Sequence, residues 1–319
     1  MVKNSNSPIR RVRITPPPHP HTRREPLPSH RPKPAEDDPD APRRVAAILA
    51  NPSYREADQD VDFLSGDQAR GARLQLDYFK PEFVLEQHGV LHTIVVFGST
   101  RISEPAAARR NVERLQKALA PDPGNPDLLR RLAIATRIQA KSIYYDIARE
   151  FGRLVGNAGH GRVVVMTGGG PGMMEAANRG AYDVGAESVG LNINLAHEQY
   201  PNPYITPDLC FRFHYFAIRK LHFLLRAKAL VAFPGGYGTF DELFETLTLV
   251  QTRKIKPVPI VLVGEHYWQQ AFGVSFLVDE GVIDPEDREL FWYAETAQEI
   301  WDGILDWHKI NGEPLLVST

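Results

Sequence analysis

The run Phe233-Pro234-Gly235-Gly236-Tyr237-Gly238-Thr239-Phe240-Asp241-Glu242 follows a short apolar stretch, Ala229 to Phe233, and leads into an amphipathic pattern from Thr239 to Gln251. A buried strand that turns through glycine into a helix leaves N–H groups and the positive end of the helix dipole at the turn, which is phosphate-binding geometry. Gly235, Gly236 and Gly238 are expected to permit positive φ and to let a ligand touch main chain, with Thr239 capping the helix. A second junction lies upstream. Arg162 to Met166 reads as a strand, runs into Thr167-Gly168-Gly169-Gly170-Pro171-Gly172-Met173-Met174-Glu175, and helical spacing resumes through Ala176, Ala177, Gly180 and Ala181. Two such junctions predict two grips on one ligand, most simply a nucleotide, laid across the carboxyl ends of a parallel sheet. Neither is a Walker A loop, because no Gly-Lys-Ser/Thr follows, and the spacing departs from the dinucleotide fingerprint.

The elements that must position these loops alternate along the chain. Helical spacing around Gln68 to Tyr78 and Pro81 to His88 precedes a first strand, Thr93 to Phe97, which ends at Gly98-Ser99-Thr100-Arg101. Ser99 and Arg101 thus stand where ligands bind in open sheets. A helix is expected from Glu104 and Pro105, further helix over 125–157, strands at 162–166, 188–193, 209–213, 229–233 and 258–263, and a closing helix from Thr296 to Trp307. The alternation predicts an α/β fold: a doubly wound, mainly parallel, Rossmann-like sheet with helices on both faces. The expected organisation is a disordered Pro/Arg-rich tail at 1–44, an N-terminal helical extension at 45–90 and a nucleotide-binding catalytic domain at 91–319.

The pattern Pro-Gly-Gly-x-Gly-Thr-x-x-Glu, preceded by Arg219-Lys220 on a helical segment and by the Gly168-Gly169-Gly170 loop, resembles the LOG (LONELY GUY) family over roughly Thr93 to Trp268. Phe216 before Arg-Lys and the tight glycine loop are similar to the longer bacterial members. The resemblance implies a phosphoribohydrolase that cleaves the N-glycosidic bond of nucleoside 5′-monophosphates, AMP-like or cytokinin riboside monophosphates, to free base and ribose 5-phosphate. It implies Glu242 and Arg219 as the catalytic pair. Phosphate and ribose binding is expected of Gly168, Gly169, Gly170, Gly172, Gly235, Gly236, Gly238, Thr239 and Lys220, with Ser99, Met173 and Glu175 as further candidate contacts. A homodimer or larger homo-oligomer is expected on the same ground.

Each residue also has a plainer reading. Thr239-x-x-Glu242 is a capping-box pattern, Arg219 and Lys220 suit a solvated helix face, and Asp241 and Glu245 suit a helix first turn. His214 and His222, set among Phe211, Phe213, Phe216 and Phe223, read as packed histidines. The single cysteine, Cys210, excludes an intrachain disulfide, and no His/Cys/Asp grouping has metal-ligand spacing, so no metal or cofactor is expected. Apolar residues make up 43% of 319, enough for a substantial core. The net charge of −2 gives no drive toward nucleic acid, and no apolar stretch reaches the length of a membrane span, so a cytoplasmic protein is expected. Residues 1–44 hold ten Lys/Arg, five Asp/Glu and eleven of the 26 prolines. Such a segment lacks the apolar surface to offset its ordering entropy. The alternative from another class is a non-catalytic nucleotide or molybdenum-cofactor carrier of similar fold; lysine decarboxylation lacks an identifiable aldimine lysine.

Overall fold

The computed structural model describes residues 27, 31–194 and 200–316; most of the Pro/Arg-rich tail lies outside the described residues. The chain divides into two compact units at Ala69/Arg70. The first contains α1 (Ala41–Leu49) and α2 (Val61–Ser65), the latter capped by Asp60, whose side chain accepts from the Phe63 N–H. α1 therefore begins inside the segment expected to be disordered, with Pro42 in its first turn, where proline suits a helix start.

The second unit is built on seven strands, β1 (His92–Phe97), β2 (Val163–Thr167), β3 (Ser188–Ile193), β4 (Cys210–Phe213), β5 (Ala227–Ala232), β6 (Ile260–Val263) and β7 (Trp292–Ala294). All pairs are parallel, in the order β4-β3-β2-β1-β5-β6-β7. The expected doubly wound α/β sheet is what the chain forms. Its topological switch lies between β1 and β5, where successive crossovers run to opposite sides and leave a crevice beyond the strand ends.

The helices of this unit are α3 (Arg70–Gln87), α4 (Pro105–Leu119), α5 (Pro126–Ala140), α6 (Ile143–Gly159), α7 (Met173–Asp183), α8 (Phe216–Leu225), α9 (Tyr237–Gln251), α10 (Glu265–Ala271), α11 (Val274–Asp279) and α12 (Ala297–Ile310). Strand alternation sorts the core into two layers. Ile94, Val96, Val165 and Val231 meet Phe151 of α6, Ala177 of α7 and Ile304 of α12 on one face. Val95, Phe97, Met166 and Leu230 meet Leu85 of α3, Phe223 of α8 and Leu243 of α9 on the other.

α3 runs unbroken through Pro81, where two segments were expected, and it belongs to the sheet unit rather than to a preface ending at residue 90. Pro81 and Leu85 are buried on its inner face, so packing outweighs the local cost of about 3 kcal/mol for an interior proline. α3 also sets the start of α8: Asp77 Oδ2 accepts from the N–H groups of His214 at 2.8 Å and Tyr215 at 2.9 Å. That carboxylate occupies the position of a helix-capping anion and fixes the helix that carries Arg219.

Candidate functional site

At the switch point, the ends of β1 and β5 border a cleft of about 570 Å3. Its rim comes from Gly98 to Ile102 after β1 and from Pro234 to Glu242 after β5. The two loops are tied together, because the Ser99 N–H donates to the Pro234 carbonyl at 3.0 Å. Tyr267 of α10 donates its hydroxyl to the Gly235 carbonyl and fastens the loop from the other side.

α9 begins at Tyr237, two residues earlier than expected, with Gly236 at the cap position and no side-chain cap. The capping reading of Thr239 and Glu242 is therefore overturned: Thr239 lies within the first turn and Glu242 a turn further along. The glycines also differ from expectation, since none of Gly235, Gly236 and Gly238 has positive φ. Gly235 is needed for close approach, because a Cβ there would lie 2.1 Å from Thr239 Oγ1. Gly236 and Gly238 are exposed on the cleft, and a Cβ added to either would meet no atom within 4 Å. The N–H groups of Gly236, Tyr237 and Gly238 have no backbone acceptor among the described residues, so they and the helix dipole face the cleft.

Glu242 lines the same cleft and is 7% exposed. Burial pushes its carboxyl up to about 7, against the pull of Lys220 and Arg219. A carboxyl near neutrality in a cleft is suited to acid, base or charge-stabilising work. Arg219 also lines the cleft. Its Nε donates to the Leu191 carbonyl at 2.9 Å, and its guanidinium lies 5.2 Å from the Phe223 ring centre and 5.8 Å from that of Phe216. Burial lowers its pKa from the usual arginine value, and Glu242 and Asp241 oppose that shift.

Lys220 is engaged elsewhere. Its Nζ lies 2.8 Å from both Asp241 Oδ2 and Glu245 Oε2 and 3.7 Å from Glu242 Oε2, and it is not among the residues lining the cleft. Burial opposes its charge, but the bonds from Asp241 and Glu245 outweigh it and the net shift is upward. Its place is beside the carboxylate, as a cation that favours the ionised form.

The Gly168–Gly172 loop is buried except for Pro171, and several of its main-chain groups bond within the protein. The Gly169 N–H donates to Thr167 Oγ1 at 2.9 Å, while the Gly169 and Gly170 carbonyls accept from the Asn202 backbone N–H and side-chain amide at 2.8 and 3.1 Å. Gly168 makes room for Arg219, whose Nη2 lies 2.8 Å from where a Cβ would stand. Gly172 has φ +74°, and a Cβ there would lie 2.3 Å from the Ser99 carbonyl oxygen. Only Met174 of this segment lines the cleft. Met173, expected as a contact, is fully buried in the core, and Glu175 accepts from the Tyr145 hydroxyl at 2.7 Å instead.

The structure thus brings together Arg219, Glu242, Gly235, Gly236, Gly238, Thr239, Ser99 and Arg101. It adds Ile138 and Lys141 from the α5–α6 corner and Tyr267, which the sequence reading missed. Tyr267 follows β6, so the strand-end rule marks its neighbourhood. Lys141 follows a helix and carries no such signal. His222 is buried with its ring nitrogens on the carbonyls of Ile218 and Tyr78, at 2.8 and 3.1 Å, as expected of a packed histidine. Among the described residues no group of His, Cys, Asp and Glu could hold a metal ion, and no helix is long and apolar enough to cross a membrane.

A family model described as "Possible lysine decarboxylase" matches residues 174–304. The rice (Oryza sativa subsp. japonica) protein "Probable cytokinin riboside 5'-monophosphate phosphoribohydrolase LOGL3" is 29% identical over 175 residues, 51% of this chain and 77% of that protein. Cytokinin riboside 5'-monophosphate phosphoribohydrolase LOG3 of Arabidopsis thaliana is 37% identical over 83 residues, 26% of this chain and 39% of that protein. Among solved structures, the molybdenum cofactor carrier protein of Chlamydomonas reinhardtii aligns over 69% of this chain and 98% of its own, with 18% identity and a TM-score of 0.39.

Proposed function

We propose, from the premise that this chain belongs to the LOG family, that it hydrolyses the N-glycosidic bond of nucleoside 5′-monophosphates to free base and ribose 5-phosphate. The observation that carries the reading is Glu242: a buried carboxylate on the wall of a cleft whose rim is the uncapped N-terminus of α9. The first-turn N–H groups and the helix dipole hold the 5′-phosphate. Arg219, immobilised on the Leu191 carbonyl, positions the sugar through its remaining guanidinium donors. As the bond to the base breaks, positive charge develops on the anomeric carbon and ring oxygen. The ionised Glu242 stabilises that charge and orients the attacking water. Phe216, Ile102 and Met174 supply an apolar wall of the cleft for the flat base. The homo-oligomer expected by resemblance is part of the same proposal, and sedimentation at the assay concentration tests it.

Incubation with AMP, other nucleoside monophosphates and adenosine, followed by chromatography for free base, tests the activity. Adenine from AMP, with adenosine cleaved far more slowly, is the expected result, because phosphate binding positions the reacting carbon. Equal turnover of AMP and adenosine removes the role given to the α9 N-terminus. No release from any monophosphate favours the carrier alternative, and visible absorbance of an internal aldimine would favour the decarboxylase wording.

A further inference from the structure

The starts of β1 and β5, at the opposite end of the sheet from the cleft, open onto a second cavity of about 670 Å3. Leu224, Val258 and Trp307 give it apolar surface, while Lys228, Lys256, His92 and His308 give it cations and imidazoles. Arg226, also on its wall, is paired with Glu82. The β1–β5 register shifts between Thr93 and Ile94, which pair with Ala227 and Ala229, so Lys228 is the extra residue of an irregular step. Bulges of this kind re-aim a side chain.

The acid lining this cavity beside the lysines is Glu313. Its carboxylate lies 3.8 Å from Lys228 Nζ and 3.6 Å from Lys256 Nζ, beyond hydrogen-bond length, on a side chain that is 59% exposed. An exposed pair of this geometry contributes little and is readily displaced. His308, by contrast, is 2% exposed. Its Nε2 lies 2.7 Å from the Lys228 carbonyl oxygen, which can only accept, so Nε2 carries the proton. Its Nδ1 is left buried without a hydrogen-bond partner among the described residues. Burial, with Lys228 nearby, also holds both His92 and His308 below the usual imidazole range.

We propose that this cavity is a second ligand site, for a small organic anion that has a phosphate or carboxylate group on a flat apolar body. The anionic group takes the place of the Glu313 carboxylate between Lys228 and Lys256, and the apolar body lies along Trp307 and Leu224. The site is independent of the hydrolase reading, since none of its residues lines the first cleft.

Calorimetric titration of the full chain with phenyl phosphate and with phenylacetate, and with neutral 2-phenylethanol as control, tests the site and separates the two anionic groups. Saturable binding of either anion, much tighter than that of 2-phenylethanol, is expected. Lys256→Ala and Lys228→Ala should each weaken it by about tenfold, the order for loss of a charge-assisted bond. Glu313→Gln should tighten it by about threefold, because the competing carboxylate is gone. Lys256 is 87% exposed, so its substitution leaves the fold intact and the result readable. Failure of both anions to bind, equal binding of 2-phenylethanol, or affinity unchanged by all three substitutions overturns the proposal.

Discussion

The loop after β2 and the loop after β5 each join a buried strand to a helix through glycine, but they use those glycines for different ends. In Gly168–Gly172 the glycines solve packing problems: Gly172 approaches the Ser99 carbonyl, Gly168 leaves space for Arg219, and Gly169 and Gly170 bond to Thr167 and Asn202. In Gly235–Gly238 only Gly235 is packed, whereas Gly236 and Gly238 stand open beside free first-turn N–H groups. One loop packs beneath the cleft and the other lines it. Glycine spacing alone does not distinguish them; burial does, since Gly168, Gly169, Gly170 and Gly172 are buried while Gly236 and Gly238 are exposed.

The sharpest way to break this comparison is to add a methyl group to each loop. Gly172→Ala requires a strained φ and meets backbone at Ser99, so it should destabilise the fold by roughly 2–4 kcal/mol in urea denaturation. A loss below about 0.5 kcal/mol would show that the β2 loop yields easily and is no scaffold. The β5 loop should respond in the opposite sense. Gly238→Val should change stability by less than about 1 kcal/mol, since its Cβ meets nothing and its φ is ordinary. The added bulk lies on the cleft, so KM for AMP should rise by about tenfold. Unchanged KM would remove the ligand-facing role of this loop.

A smaller effect concerns Lys220, which sits beside the Glu242 carboxylate and does not line the cleft. If the ionised Glu242 is the working form, kcat for AMP should fall as pH drops below about 7, where its carboxyl takes up a proton. Lys220→Gln removes a cation 3.7 Å away and should move that limb upward by up to about one pH unit, with little change in KM. A large rise in KM with an unmoved limb would return Lys220 to the phosphate.

The difference between the loops also explains what the sequence made legible. Six strands were readable because buried parallel strands are continuous apolar runs, such as Val163 to Met166 and Ile260 to Val263. β7 was missed because Trp-Tyr-Ala is too short to show a period. The early start of α9 was hidden by Tyr237 and Gly238, which carry no helix-start signal, so Thr239 took the cap position by default. Asp77 on α3 caps α8 from 137 residues away, and Lys141 reaches the cleft from the end of α5; neither relation has a local pattern. Met173 and Met174 differ only by about 100° of helix rotation, enough to send one into the core and the other to the cleft.

The central claim is that Glu242 is buried for chemistry and at a cost to the fold, and Glu242→Gln tests it most directly. The carboxyl is raised from 4.5 to about 7 in the folded chain, so between those pH values the folded state holds a proton that the unfolded state has lost. Its contribution to stability therefore declines as pH rises through that window and is lost above about 7. Measured together at pH 8, Glu242→Gln should release adenine from AMP at least about 100-fold more slowly than the parent, the scale for a positioned charge or acid/base group. It should still bind AMP and be more stable than the parent, by on the order of 2 kcal/mol. Adenine release at the parent rate, with stability lowered rather than raised, would contradict the account.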